Sequence, residues 1–156
     1  PERISPSSGR PPAPRSGRPP RRGRRTVACM TPLETVNEFM QRFCSKDLDS
    51  ACELVTDDVE YDNVPMGKSF GPDGIKAFAG GMVGGFDTVE FIVHREAATG
   101  NLVLNERTDR FVRGDQTFDI PVVGVFELAD DGKIALWRDY FDMGPVNTMM
   151  TALAAG

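Results

Sequence analysis

From Phe86 onward the chain reads as four long stretches of alternating apolar and polar residues, over about 86–97, 101–113, 116–129 and 133–142. Three short reversals separate them: Thr99-Gly100-Asn101, Arg113-Gly114-Asp115 and Asp130-Asp131-Gly132. Connections this short join only antiparallel neighbours, because a parallel return needs roughly a dozen residues or more. The second half of the chain is therefore committed to one antiparallel meander, and whatever precedes it must cover one face of that sheet.

The preceding segment has helical grammar. Thr31-Pro32-Leu33-Glu34 places an N-cap threonine, a proline at the first helical position and a glutamate at the third, which is a capping box. Val36, Phe39, Met40 and Phe43 then recur at helical spacing, predicting a helix over 32–45. A shorter helix is expected over 47–55, with Leu48, Cys52 and Val55 as its apolar side. Residues 58–64 read as a strand with Val59, Tyr61 and Asn63 on one face and Asp58, Glu60 and Asp62 on the other. Gly71-Pro72-Asp73-Gly74 opens a third helix over 73–82, ended by Gly80, Gly81, Gly84 and Gly85, and a helical tail is expected over 145–154. Helices first and a meander after is the α+β pattern: a curved sheet forming a cone, with the N-terminal helices packed over an apolar pocket. No internal repeat is visible, and no apolar run approaches the length of a membrane helix.

Charge divides the chain in two. Residues 1–29 hold eight arginines against one acid, Glu2, and seven of the twelve prolines. Setting that +7 against the whole chain's −5 leaves −12 on the remainder. The basic, proline- and arginine-rich segment 1–29 buries too little to order itself, so we expect a disordered extension ahead of a single domain over 30–156, with translation beginning at Met30. An acidic body of this kind is a poor partner for phosphate backbones, so no nucleic acid and no membrane is expected as partner. Three cysteines (Cys29, Cys44 and Cys52) without a C-x-x-C motif point to reduced thiols in a cytoplasmic protein. His94 is the one histidine, on an apolar strand, and reads as a packed or rim residue; no metal site is expected.

The informative residues are charges on apolar faces. Val103, Asn105, Arg107, Asp109 and Phe111 share one face of their strand; Trp137, Asp139 and Phe141 share one face of theirs. Taken singly, an Arg–Asp pair two residues apart on a strand is an ordinary rim salt bridge, nearly neutral in energy. A carboxylate flanked by Trp and Phe is different, because an ion buried without a partner is very costly. Asp139 therefore requires a partner. Arg107 is the natural one, Asp109 is a second acid on the same arginine, and Tyr61 and Asn63 join them from the early strand.

These segments resemble a known family. Tyr61-Asp62-Asn63-Val64-Pro65, Glu106-Arg107-Thr108-Asp109 and Trp137-Arg138-Asp139-Tyr140-Phe141-Asp142 are similar, in order and separation, to the three signature segments of the limonene-1,2-epoxide hydrolases. Gly124-Val125-Phe126 resembles that family's fourth strand, and the likeness covers about 33–143. It implies a nuclear-transport-factor-2-like (cystatin-like) cone with a mixed sheet, a homodimer, no cofactor, and one-step addition of water to a hydrophobic epoxide. Carried over, Asp139 is the base that takes a proton from water, Tyr61 and Asn63 hold that water, Asp109 is the acid that protonates the epoxide oxygen, and Arg107 keeps the two carboxyls in different protonation states. Met40, Phe43, Phe86, Phe111, Ile120, Val122 and Phe141 are the expected substrate-binding wall, each of which would equally serve as plain core. Gly80, Gly81, Gly84 and Gly85 stand where bulkier residues are expected in the family, which puts a different substrate from limonene epoxide in view. The same cone also hosts ketosteroid-isomerase-like and polyketide-cyclase-like enzymes and non-catalytic ligand-binding modules, so fold alone does not name the reaction.

Overall fold

The first helix begins where its capping signal stands. In the computed structural model, which describes residues 30–155, Glu34 Oε2 accepts from the Thr31 N–H at 2.9 Å and the Glu34 N–H donates to Thr31 Oγ1 at 3.3 Å. The expected disordered extension 1–29, with Cys29, lies outside the described residues. The helix α1 runs Pro32–Cys44 and buries Val36, Phe39, Met40 and Phe43 on one side. A short α2, Leu48–Cys52, is capped by Asp47, whose carboxylate accepts from the Ser50 N–H at 3.2 Å. It stops three residues before the expected end, because Val55 already belongs to the first strand.

Strand β1 spans Val55–Asn63 and turns back into β2, Gly67–Phe70, a four-residue edge strand that the sequence reading misses. Its Gly-Lys-Ser-Phe has no apolar alternation; hydrogen bonding to β1, and not a buried face, defines it. Helix α3, Gly71–Met82, follows, and a single 3₁₀ turn at Val83–Gly85 leads into the meander. That meander comprises β3 (Thr88–Thr99), β4 (Leu102–Arg113), β5 (Gln116–Leu128) and β6 (Ile134–Phe141), and the chain ends in α4, Met143–Ala155. Gly100 and Gly114 hold φ of 57° and 55° at the tips of the β3–β4 and β4–β5 hairpins, a region only glycine enters freely.

The six strands lie in the order β2-β1-β6-β5-β4-β3. All neighbours are antiparallel except β1 and β6, which run parallel, so the sheet is mixed. A register shift between Val93 and Arg95 bends β3 at His94, which is exposed and hydrogen-bonded to Thr108 Oγ1 at 2.8 Å. Helix α1 packs over β3 and β4, α3 over β1 and β2, and α4 against β5, closing the concave side of the sheet. Trp137 is the hub of the core, with no exposed surface. Tyr61 and Phe126 stack on it at 4.1 and 6.0 Å, and the Phe39 and Phe43 rings meet it edge-on at 5.1 and 5.2 Å. No helix among the described residues is long and apolar enough to cross a membrane.

Candidate active site

Strand register assembles the site row by row on the concave face. Val103, Phe126, Trp137 and Tyr61 lie side by side across β4, β5, β6 and β1, forming the apolar floor. The next inward row is Asn105, Gly124, Asp139 and Asn63. Beyond it come Arg107, Val122 and Phe141, then Asp109 beside Ile120. Six polar side chains from three strands, Tyr61, Asn63, Asn105, Arg107, Asp109 and Asp139, thus meet inside an otherwise hydrophobic cone.

Arg107 is at the centre, 1% exposed, with every N–H engaged. Its Nε and Nη2 donate to Asp109 Oδ1 and Oδ2 at 2.7 and 3.2 Å. On the other side Nη1 and Nη2 donate to Asp139 Oδ1 and Oδ2 at 3.1 and 2.7 Å. The remaining Nη1 hydrogen goes to Asn105 Oδ1 at 3.0 Å, which completes the five donors a guanidinium carries. The Phe91 ring lies under the guanidinium, 4.8 Å from Cζ to its centroid. Asn105 is itself oriented by α1, since its Nδ2 donates to Met40 Sδ at 3.3 Å.

One cation between two buried carboxyls leaves one negative charge too many, and the surplus falls on Asp109. Burial pushes its carboxyl up from 3.8 to about 6; Arg107 opposes the rise and Asp139 adds to it. Burial works against the charge on Arg107 as well, but Asp139 and Asp109 more than offset it and hold the guanidinium protonated. Burial, then the Asp139 charge, raise the Tyr61 hydroxyl well above its usual range, while a hydrogen bond with Asn63 opposes that rise. Tyr61 is therefore an O–H donor at any working pH. The Cys44 thiol is pushed up to about 12 by burial and offers no thiolate nucleophile. Among the described residues no three His, Cys, Asp or Glu side chains converge as a metal site would require.

Beside this cluster lies a small cavity of about 40 Å³, open at its mouth. Tyr61, Asn63, Asp109 and Asp139 are its polar wall. Of the apolar residues expected to bind substrate, Phe43, Phe111, Ile120, Val122 and Phe141 line it. Met40 and Phe86 do not. Met40 points at Asn105 and the outer groove between α1 and β3, and Phe86 packs behind Phe111, 5.0 Å between rings, because the chain has not yet entered β3 at that point. The wall also holds residues the sequence reading left out, among them Phe91, Phe78, Met66, Met82, Val83 and Val146. Met82 and Val83 carried a signal, since they stand between the glycine pairs Gly80-Gly81 and Gly84-Gly85.

Known proteins resemble this chain in sequence and in fold. Residues 30–154 match the model of the limonene-1,2-epoxide hydrolase catalytic domain. The chain is 38% identical over 110 residues to the epoxide hydrolase EphG of Mycobacterium tuberculosis, covering 69% of this chain and 71% of that one. A solved limonene-epoxide-hydrolase-like epoxide hydrolase from M. tuberculosis superposes with a TM-score of 0.64 at 34% identity, over 80% of this chain and 90% of that chain. A SnoaL-like protein from Shewanella putrefaciens gives a TM-score of 0.68 at only 15% identity, over 78% and 96% of the two chains. That likeness speaks for the nuclear-transport-factor-2-like fold alone.

Proposed function

The chain belongs to the limonene-1,2-epoxide hydrolase family and is an epoxide hydrolase of that type, and we propose that it adds water to a hydrophobic, cyclic or otherwise lipophilic epoxide in one step to give a vicinal diol. The observation that carries this reading is Arg107 held in fork geometry by two carboxylates at the wall of an apolar cavity. Water is a poor nucleophile and an epoxide leaves as an alkoxide, so the reaction needs a proton removed at one end and delivered at the other. Asp139 takes the proton from water as its oxygen attacks an epoxide carbon. Tyr61 and Asn63 orient that water. Asp109, raised to about 6, gives its proton to the epoxide oxygen as the C–O bond breaks. The turnover ends with Asp139 protonated and Asp109 ionised, and transfer of one proton between them resets the site. Arg107 stabilises either distribution because it donates two hydrogen bonds to each acid.

The test is diol formation from terpene, cyclic and steroid-like epoxides in ¹⁸O-water, with wild type beside Asp139→Asn. Direct attack by water puts one heavy oxygen into the diol at the first turnover, and Asp139→Asn abolishes it. A light first-turnover diol would reveal an ester intermediate and refute the one-step route.

The working unit we propose is a homodimer joined through the outward face of the sheet. Leu104, Val123 and Tyr140 are 38%, 45% and 47% exposed there, with Val123 and Tyr140 directly opposed in register. Val123→Glu converts the dimer to monomer in analytical ultracentrifugation; a wild-type monomer refutes it.

A further inference from the structure

Arg107 projects from β4, while Asp139 stands on β6, with β5 between them. A side chain on β5 at the intervening position would block the reach. The residue there is Gly124, paired with Asn105 on one side and Asp139 on the other. A Cβ built on Gly124 would come well inside 3.0 Å of Arg107 Nη1, 2.6 Å from Asn105 Oδ1 and 3.0 Å from Phe126 Cε2. Its backbone φ is not in the left-handed region, so glycine is not required here by chain conformation. It is required by what crosses above it.

We infer that Gly124 and Asn105 are positioning residues for the reaction: Gly124 leaves a bare step in β5 across which the Arg107 guanidinium lies, and Asn105 clamps its Nη1 so that one cation engages both acids. Neither residue lines the cavity. Asn105 completes the set by accepting the one Nη1 hydrogen that the acids leave over, and Met40 Sδ fixes the amide so that its oxygen faces the arginine. Met40, expected from the sequence to touch substrate, is thereby separated from the acids by two residues, Asn105 and Arg107. The inference rests on the acid–base reading above, since positioning matters to catalysis only if Asp109 and Asp139 are the working pair.

Gly124→Ala and Asn105→Ala test it. The added methyl meets the ends of the Arg107 and Asn105 side chains and the edge of Phe126, not backbone, so the Gly124→Ala chain folds. We expect kcat to fall about 30-fold or more in Gly124→Ala and about 5- to 10-fold in Asn105→Ala, with KM within about threefold of wild type, the split expected when an interaction specific to the transition state is lost. The alkaline limb of the pH–rate profile moves to higher pH in both variants, because Arg107 is the cation that opposes the effect of burial on Asp109. In the double variant the two losses are not multiplicative, as they act on one guanidinium. Should Gly124→Ala fail to fold, Asn105→Ala decides by the same readouts. Wild-type kcat with an unmoved alkaline limb overturns the inference, as does a loss expressed in KM alone. The ¹⁵N-detected Arg107 Nε–H signal separates the two layers. A changed signal in both variants with no epoxide opened by the wild type shows that the two residues hold the guanidinium and that the acid–base reading is what fails, and an unchanged signal removes the positioning role whatever the activity.

Discussion

If Asp109 is the acid kept protonated by its surroundings, its ionisation must cost the fold stability, and Asp109→Asn makes that cost measurable. The folded-state pKa of about 6 lies above the 3.8 of an unfolded chain. The folded state then holds the proton longer than the unfolded state. The group's stabilising contribution is complete below 3.8 and is lost as pH rises through 6. A displacement of about two units corresponds to about 3 kcal/mol over the full range, of which about 2 kcal/mol falls between pH 4.5 and 8. Asparagine does not titrate. Its amide sets a fixed, pH-independent penalty against Arg107, so that penalty cancels when the slope with pH is compared. The assay is urea unfolding of both proteins at equal concentration from pH 4.5 to 8, with the difference in unfolding free energy, wild type minus Asp109→Asn, plotted against pH. That difference falls by about 2 kcal/mol toward pH 8, and titrating groups remote from Asp109 cancel. A flat line, or a difference that grows with pH, would falsify the idea that burial outweighs Arg107 at this carboxyl.

The rate should carry the same signature: kcat/KM falls about tenfold per pH unit above about 6, because only protonated Asp109 can donate, and a profile flat to pH 9 would exclude it as the acid. Removing the cation leaves two buried acids facing one another, so Arg107→Met is destabilised by about 3–5 kcal/mol at pH 8, and by less at pH 5, in the same unfolding assay. Arg107→Lys, with three donors in place of five, keeps the charge but loses the double fork, and its kcat drops by about 10²-fold in steady-state kinetics. In α3, a methyl added at Gly80 or Gly81 meets nothing within 4 Å, so Gly81→Ala raises unfolding free energy by up to about 1 kcal/mol, read by thermal or chemical denaturation.

The buried Arg–Asp cluster was legible because a strand's side chains alternate strictly: Arg107 and Asp109 must share the face of Val103 and Phe111, and Asp139 the face of Trp137. Charges on such faces are costly enough to demand partners, and that demand pointed to the Arg107–Asp139 pair before any geometry was available. The magnitude was less legible. Holding Asp109 neutral at pH 7 would take a rise of about three units, whereas burial against Arg107 leaves it at about 6, a balance set by distances. The cavity wall was legible where strands build it, as at Phe111, Ile120 and Val122, and opaque where the fold brings helices to it. Val146 reaches the wall from α4 and Phe78 from α3, and neither position follows from local periodicity. Phe91 was missed for another reason, since the shift at His94 breaks the alternation that would have marked its face. Strand β2 offers no apolar pattern at all. Gly124 looks like any strand glycine until the register sets it under a guanidinium.

The parallel pairing of β1 with β6 has a consequence for how the molecule comes into being. Asn105, Arg107 and Asp109 belong to hairpins whose partners are close in sequence, so this half of the site forms from short-range contacts. Tyr61 and Asn63 do not meet the rest of the cluster until Ile134–Phe141 slots between β5 and β1, where the Val64 N–H donates to the Asp139 carbonyl at 3.1 Å. Closing so large a loop is slow relative to closing a hairpin. Asp109 and Arg107 can thus pair through local hairpins, whereas Asp139 joins them only when the last strand docks, so the arrival of β6 completes the sheet and the buried cluster in the same event.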